Sequence, residues 1–278
     1  MVPELISIVF AFLLGLAVGS FLNVVAYRLP RGGSIVRPPS ACPACGRRIA
    51  WYDNVPLLSY LLLRGRCRSC GKRISPAYPA GELACGLLFA LAMYHRGPAL
   101  QLIPDLLLLS GLVLTVQTDL RSWIVLDEVS VGGAVAGFGL SFLSGGVSPL
   151  DSAVAAVGAF GLFLGIRAAT VAYLRRKPDY VKVPEGEEDD ESWSGGLGWG
   201  DVKLAGMIGA FLGVRSTLVA LFLAFLVGAL VGGALILFGG RDRRIPVPFG
   251  PFMALGAAAA LFWGPSVWNA YIALGASL

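Results

Sequence analysis

Apolar runs recur along almost the whole chain, separated by short polar segments. The first, LISIVFAFLLGLAVGSFLNVV, has the roughly 20 residues that a helix needs to cross a bilayer core. Comparable runs follow, and their spacing predicts membrane helices over 4–24, 78–95, 99–118, 124–144, 149–173, 199–214, 216–238 and 249–275. The sixth is short enough to be a partial span, so eight is the expected count and seven the alternative. The apolar–polar alternation of a membrane β-barrel is missing, and no fixed-period repeat is evident. The expected fold class is an all-α polytopic membrane protein of about eight transmembrane helices. The first run follows Glu4 and lacks a basic flank, so it reads as a retained anchor rather than a cleaved signal.

Composition agrees with that pattern. Only 14% of the 278 residues are charged, against roughly 25% in soluble domains, and the mean hydropathy is +0.74. Charge then adds orientation. Between the first two spans lie Arg28, Arg31, Arg37, Arg47, Arg48, Arg64, Arg66, Arg68, Lys72 and Arg73, with Asp53 as the single acid. Basic segments stay in the cytoplasm, which places this one inside. By alternation the 119–123 turn, the 174–200 loop and the 239–248 loop fall inside too. They carry Arg121, then Arg175, Arg176 and Lys177, then Arg241, Arg243 and Arg244, whereas the outer loops hold little beyond Arg96 and Arg215. The net charge of +5 thus reflects topology, and nucleic-acid binding is not expected.

The first cytoplasmic segment holds two CxxC pairs, Cys42 with Cys45 and Cys67 with Cys70, each followed by glycine. Two such knuckles supply four thiolates in a tetrahedron, the donor set of structural zinc. Disulfides are disfavoured in the cytoplasm, and a redox CxxC needs no twin. A closed four-cysteine site has no open coordination position, so its role is structural. Cys85, inside the second span, reads as a small buried hydrophobe. His95 is the only histidine and lies at the outer end of the same span, which argues against a His-based triad.

The carboxylates remain. Asp119 lies where the third span ends, and Asp201 where the sixth begins, both at the cytoplasmic rim by the orientation argument. Two carboxylates meeting at a partly dry interface do not both ionise: one keeps a proton as acid while the other activates water. Such a pair can hydrolyse a peptide bond with neither metal nor covalent nucleophile. Gly198 and Gly200, around Trp199, allow close backbone approach beside Asp201. Other readings stay open. Asp201 can simply favour its helix terminus, Asp119 can be an interfacial turn residue, and Asp127 is by spacing nearly as good a candidate. Lys203 reads as a snorkelling anchor.

Several blocks together resemble the bacterial type IV prepilin peptidases, also called leader peptidase/N-methyltransferases, over nearly the whole chain. They are GSFLNVVAYRLPR at 19–31, the cysteine-bearing stretch from Cys42 to Leu83, TDLRSWIVLDE from Thr118, GLGWGDVKL with its GxGD pattern, and VPFGPFMALGA at 247–257. The resemblance implies an aspartic endopeptidase with Asp119 and Asp201 catalytic; Gly198, Gly200, Lys203 and Asp127 are the residues expected to support that site. It implies cleavage of a short basic leader from prepilins and type II secretion pseudopilins, after a glycine, at the cytoplasmic face of the inner membrane. It also implies N-methylation of the new amine with S-adenosylmethionine, since methylating members typically carry the long cytoplasmic domain. The domain layout expected is a first helix at 1–25, a zinc domain at 26–77, and a peptidase domain at 78–278 with an acidic loop at 175–198. Glu82, at the mouth of the second span, is read as a cap or as a partner of Lys72 or Arg73, with a part in either reaction as the alternative.

Two departures from the family pattern stand out. Leu126 occupies the place before Asp127 where the family has proline, which weakens a role for Asp127. The loop before GxGD carries Glu185, Glu187, Glu188, Asp189, Asp190 and Glu191, a solvated run or an attractor for the basic leader. Two other functional classes compete: a proton or cation transporter using the acids as a relay, and a non-catalytic zinc-bearing assembly factor. Acids grouped at one face count against the transporter.

Overall fold

The computed structural model describes residues 2–143, 146–176, 197–238 and 247–276. Their regular elements are all helices, the α-helices being α1 Val2–Arg28, α2 Leu58–Leu62, α3 Ala77–Arg96, α4 Leu102–Ser122, α5 Asp127–Leu140, α6 Pro149–Arg175, α7 Trp199–Leu237 and α8 Gly250–Ala276. The acidic run 185–191 and the basic residues Lys177, Arg241, Arg243 and Arg244 lie outside the described residues. The chain divides into two compact units, Met1–Ser122 and Trp123–Leu278.

In the first unit α1 packs on α3 and α4, and α3 on α4. The α1–α3 approach follows from small residues. A Cβ on Gly15 would lie 2.6 Å from the Cys85 carbonyl oxygen and 2.8 Å from Gly86 Cα, and one on Gly19 would lie 2.8 Å from Glu82 Cα. Gly15 and Gly19 form a GxxxG step, which lets two membrane helices come close enough for backbone contact. Cys85 is buried in this seam. At the α3–α4 turn, Arg96 Nε donates to buried Asp105 Oδ2 at 2.6 Å, so Arg96 is committed to an ion pair.

In the second unit α7 packs against α5, α6 and α8. Ser148 caps α6, its hydroxyl accepting from Asp151 N–H at 3.2 Å, with Pro149 opening the helix. A straight helix of 39 residues would be about 58 Å long, roughly twice the hydrocarbon thickness. The helix instead breaks at Gly213, where φ is 69°, a conformation that side chains other than glycine rarely adopt. The break frees the Val214 N–H, which Asp151 Oδ1 accepts at 3.2 Å. Ser152 Oγ donates to the Ala210 carbonyl just before it, at 2.7 Å.

Among the described residues, six helices are long and apolar enough to cross a membrane: α1, α3, α4, α6, α7 and α8. The difference from the expected eight has two physical sources. The spans expected at 199–214 and 216–238 are two helical segments that meet at the Gly213 break and are counted together as α7. The span expected at 124–144 holds a helix of only 14 residues, about 21 Å long, because Trp123–Leu126 is a non-helical connector and the helix ends at Leu140.

Candidate metal centre and acid-bearing helix rims

The two cysteine pairs fold into matching knuckles. Cys42 N–H donates to the Arg47 carbonyl and Gly46 N–H to the Cys42 carbonyl; Cys67, Lys72 and Gly71 repeat both bonds. Gly46 and Gly71 supply the positive φ angles, 68° and 71°, that close each turn. The four sulfurs all lie within 4.8 Å of one another, and Cys42 Sγ and Cys70 Sγ are 3.9 Å apart. Zinc–sulfur bonds of about 2.3 Å in a tetrahedron require sulfur separations of about 3.8 Å. The cluster therefore fits a metal ion of that size. Amide N–H groups of Cys70 and Ser69 hold the Cys67 thiol down at about 6. For Cys70 the Lys72 amide pulls the same way, but burial and the neighbouring sulfurs push it up to about 11. Beside the knuckles, Arg68 grips Asp53 through Nε and Nη2 at 2.7 and 2.6 Å, which holds the Asp53 carboxyl below its ordinary range.

The insert is tied to the helices by Glu82. Its buried carboxylate accepts the Leu57 N–H at 2.9 Å, just before α2. Leu57 has a φ of 59°, and the carboxylate satisfies an amide at that strained turn. The sequence expected Glu82 to cap or to pair with Lys72 or Arg73; the described bond is to the backbone of a loop.

Asp119 sits in the last turn of α4, buried beside fully buried Thr118. Around this end of the unit, Asn23 Nδ2 donates to the Tyr78 carbonyl at 3.0 Å, and the Arg121 guanidinium lies 4.8 Å above the Tyr78 ring. Asn23 Oδ1 and both amide atoms of Gln117 are buried with no hydrogen-bond partner among the described residues. A Cβ on Gly81 would run into Gln117 Nε2. Sequence reading passed over these amides; the signal for them is a polar residue inside an apolar run, as in FLNVV and LTVQTD.

Asp201 occupies the first turn of α7. Its Oδ2 accepts the Gly198 N–H at 3.0 Å, the reach-back bond of a residue three positions into a helix. A Cβ on Gly200 would lie 2.7 Å from Val125 Cβ, so the close approach at this glycine is made by the connector before α5. Lys203 Nζ binds both carboxylate oxygens of Asp127, at 2.6 and 2.7 Å. Arg167, which the sequence reading did not single out, donates to the Leu197 carbonyl at 2.7 Å and lies 4.8 Å over the Trp199 ring. It braces the entry to α7 from α6.

The long apolar helices define a multi-pass membrane protein, and comparison with known proteins specifies its family. The family model described as the bacterial peptidase A24 N-terminal domain matches residues 13–96, and that of the type IV leader peptidase family matches residues 106–233. A prepilin leader peptidase/N-methyltransferase of Bacillus subtilis (strain 168) is 36% identical over 273 residues, covering 96% of this chain and 98% of that protein. One of Myxococcus xanthus (strain DK1622) is 43% identical over 235 residues, covering 84% of this chain. The chain spans 64% of the length of that Myxococcus relative. One of Stutzerimonas stutzeri is 32% identical, covering 94% of this chain and 92% of that protein. No solved structure matches the chain. The chain belongs to the type IV leader peptidase family.

Proposed function

We infer that the protein is a membrane aspartic endopeptidase that removes the basic leader from type IV prepilins and type II secretion pseudopilins, and then methylates the new N-terminal amine. The observation that carries this reading is that one family match, 106–233, contains both Asp119 and Asp201, each at the end of a long membrane helix. The proposed location is the bacterial inner membrane, with the chemistry at its cytoplasmic face, where the basic segments are retained.

In the proposed reaction, Asp119 and Asp201 share one proton. The protonated carboxyl hydrogen-bonds the scissile carbonyl oxygen, and the carboxylate takes a proton from a water that attacks the carbonyl carbon. Collapse of the tetrahedral species breaks the C–N bond as a proton passes to the leaving amine. The pair titrates as a unit. Gly198 orients the Asp201 carboxylate through its N–H, and Gly200 keeps the Val125 connector close. Lys203 and Asp127 support this arrangement as an ion pair linking α7 to α5, outside the proton transfer. S-adenosylmethionine is the methyl donor that N-methylation calls for. Cys42, Cys45, Cys67 and Cys70 would hold zinc as a structural staple.

The test is cleavage of a pseudopilin with a basic leader by reconstituted wild type, Asp119→Asn and Asp201→Asn, each checked for insertion. Wild type cuts and both variants lose activity. Cleavage by both variants at the wild-type rate would overturn the assignment, and a wild type inert on several leaders would favour an assembly factor. The acidic residues 185–191 are proposed to attract the basic leader. Neutralising them raises KM, most at low salt; an unchanged KM at low salt removes that role.

A further inference from the structure

We propose that the four-cysteine insert is an interfacial membrane element, seated on the anionic phospholipid leaflet at which α1 ends. The proposal rests on α1 and α3 crossing the bilayer.

The first observation is depth. A cavity of about 380 Å³ has Ala17, Ser20, Phe21, Val24 and Arg28 of α1 on one wall, positions that share one helix face. Its other wall is the insert, through Ile35, Val36, Pro38–Ser40, Asn54 and Pro56. From Ala17 to Arg28 is about 16 Å along a helix axis, whereas the polar interface on each side of a bilayer is only about 5–8 Å thick. The cavity between α1 and the insert runs beside α1 over a length greater than the thickness of that layer. On α3 the Leu57–Glu82 bond at 2.9 Å lies about 7.5 Å past the first residue of the helix, within the thickness of that layer.

The second observation is what the insert exposes. Leu58, Leu61 and Leu62 of α2 occupy the i, i+3 and i+4 positions of one face, and Leu61 and Leu62 are 71% and 72% exposed. Ser59 faces inward, donating to the Tyr52 carbonyl at 2.9 Å. Val36 and Trp51 are exposed as well, Trp51 at 83%. Leucine, valine and tryptophan presented to water at the depth of a lipid interface match the side chains of interfacial helices.

The third is charge, and it selects the lipid. The segment carries ten basic residues against Asp53, which is already held by Arg68. Arg64 and Arg66 follow α2 directly and are exposed. Cations beside an apolar interfacial face complement the phosphates of an anionic leaflet. A neutral leaflet would leave that charge uncompensated.

The experiment uses the full chain in vesicles of phosphatidylcholine, with and without phosphatidylglycerol. Tryptophan emission is quenched by lipids brominated near the headgroup or by aqueous iodide, and the difference between wild type and Trp51→Phe isolates Trp51. Expected is loss of most of the Trp51 component to bromolipid, little loss to iodide, and stronger bromolipid quenching with phosphatidylglycerol. Arg64→Gln/Arg66→Gln should remove that lipid dependence, and Leu61→Asp/Leu62→Asp should make Trp51 accessible to iodide. Retained metal content shows that the insert is still folded; where the aspartates release metal, Leu61→Ser/Leu62→Ser replaces them. Iodide quenching of wild-type Trp51 would place the face in water and overturn the proposal. Protection from both quenchers would also overturn it, in favour of a second copy or another protein as cover. Equal quenching in both vesicles would overturn the choice of an anionic surface. The Trp263→Phe difference reports α8; absence of bromolipid quenching there would mean that the membrane reading itself had failed, rather than the seating of the insert.

Discussion

The cysteine insert and the helix bundles are ordered by opposite means. In the insert, structure is local: each CxxCG turn closes on its own backbone bonds and presents its sulfurs within a few residues. In the bundles, structure is distant: Gly15 meets Cys85 and Gly86, and Asp151 answers an amide 63 residues away at Val214. Lipid provides no hydrophobic drive between helices, so close packing and satisfied polar groups hold them together. Loss of the metal should therefore disturb one region, and loss of a small residue the other.

The largest effect is expected in the helix seam. Gly15→Leu drives a side chain into the backbone of α3, and overpacking of this kind costs about 1–3 kcal/mol or more. Thermal unfolding in detergent should show a lower midpoint, and the cysteine cluster should still take up metal. If the insert loses metal together with the seam, the two regions are not ordered independently.

Metal removal is the converse. Chelation, or Cys45→Ser, should open the 41–73 segment to protease while leaving far-ultraviolet helicity nearly intact. Thiolates bind the metal, so uptake releases protons and affinity falls as pH falls. The Cys67 share is lost below about 6. In the metal-free chain at pH 7.5, Cys67 is mainly thiolate and Cys70, at about 11, mainly thiol. Iodoacetamide should therefore modify Cys67 before Cys70; the Cys67 rate should fall as pH is lowered through 6, and the preference should narrow as pH is raised toward 11. Mass spectrometry of timed samples reads this directly, and equal rates at pH 7.5 would contradict the different environments of the two sulfurs.

A smaller effect is expected at the α7 kink. Asp151→Ala leaves the Val214 N–H without its carboxylate, a loss comparable to that of a helix cap, about 1 kcal/mol. The unfolding midpoint should drop modestly, and Asp151→Asn should restore part of it. Smallest is the Lys203–Asp127 pair, whose side chains are 29% and 64% exposed. Asp127→Asn should change stability by less than about 1 kcal/mol, with the difference shrinking as salt rises. Retained cleavage by this variant would separate Asp127 from the proposed catalytic pair.

The sequence made the apolar helices and the knuckles legible because both are written in short-range pattern. Twenty apolar residues can do little except span, and two CxxCG motifs have few other folds. Asp201 was legible for the same reason, since GxGD places an acid one turn from a helix start. The boundary between the spans expected at 199–214 and 216–238 was legible too, and the structure breaks α7 beside it, at Gly213. Arg96 was read as a loop cation, while in the structure it reaches Asp105 across the turn.

By itself, then, the sequence determined the membrane class, the four-thiolate donor set and the positions of the rim acids, all of which depend on residue type and short spacing. Only the tertiary structure decided that Asp127 is engaged by Lys203, that Glu82 holds the Leu57 amide, and that Asp151 serves the Gly213 break. Each of these joins residues tens of positions apart. A polar group withdrawn from water takes whichever partner packing brings within about 3 Å, and spacing along the chain does not encode that choice.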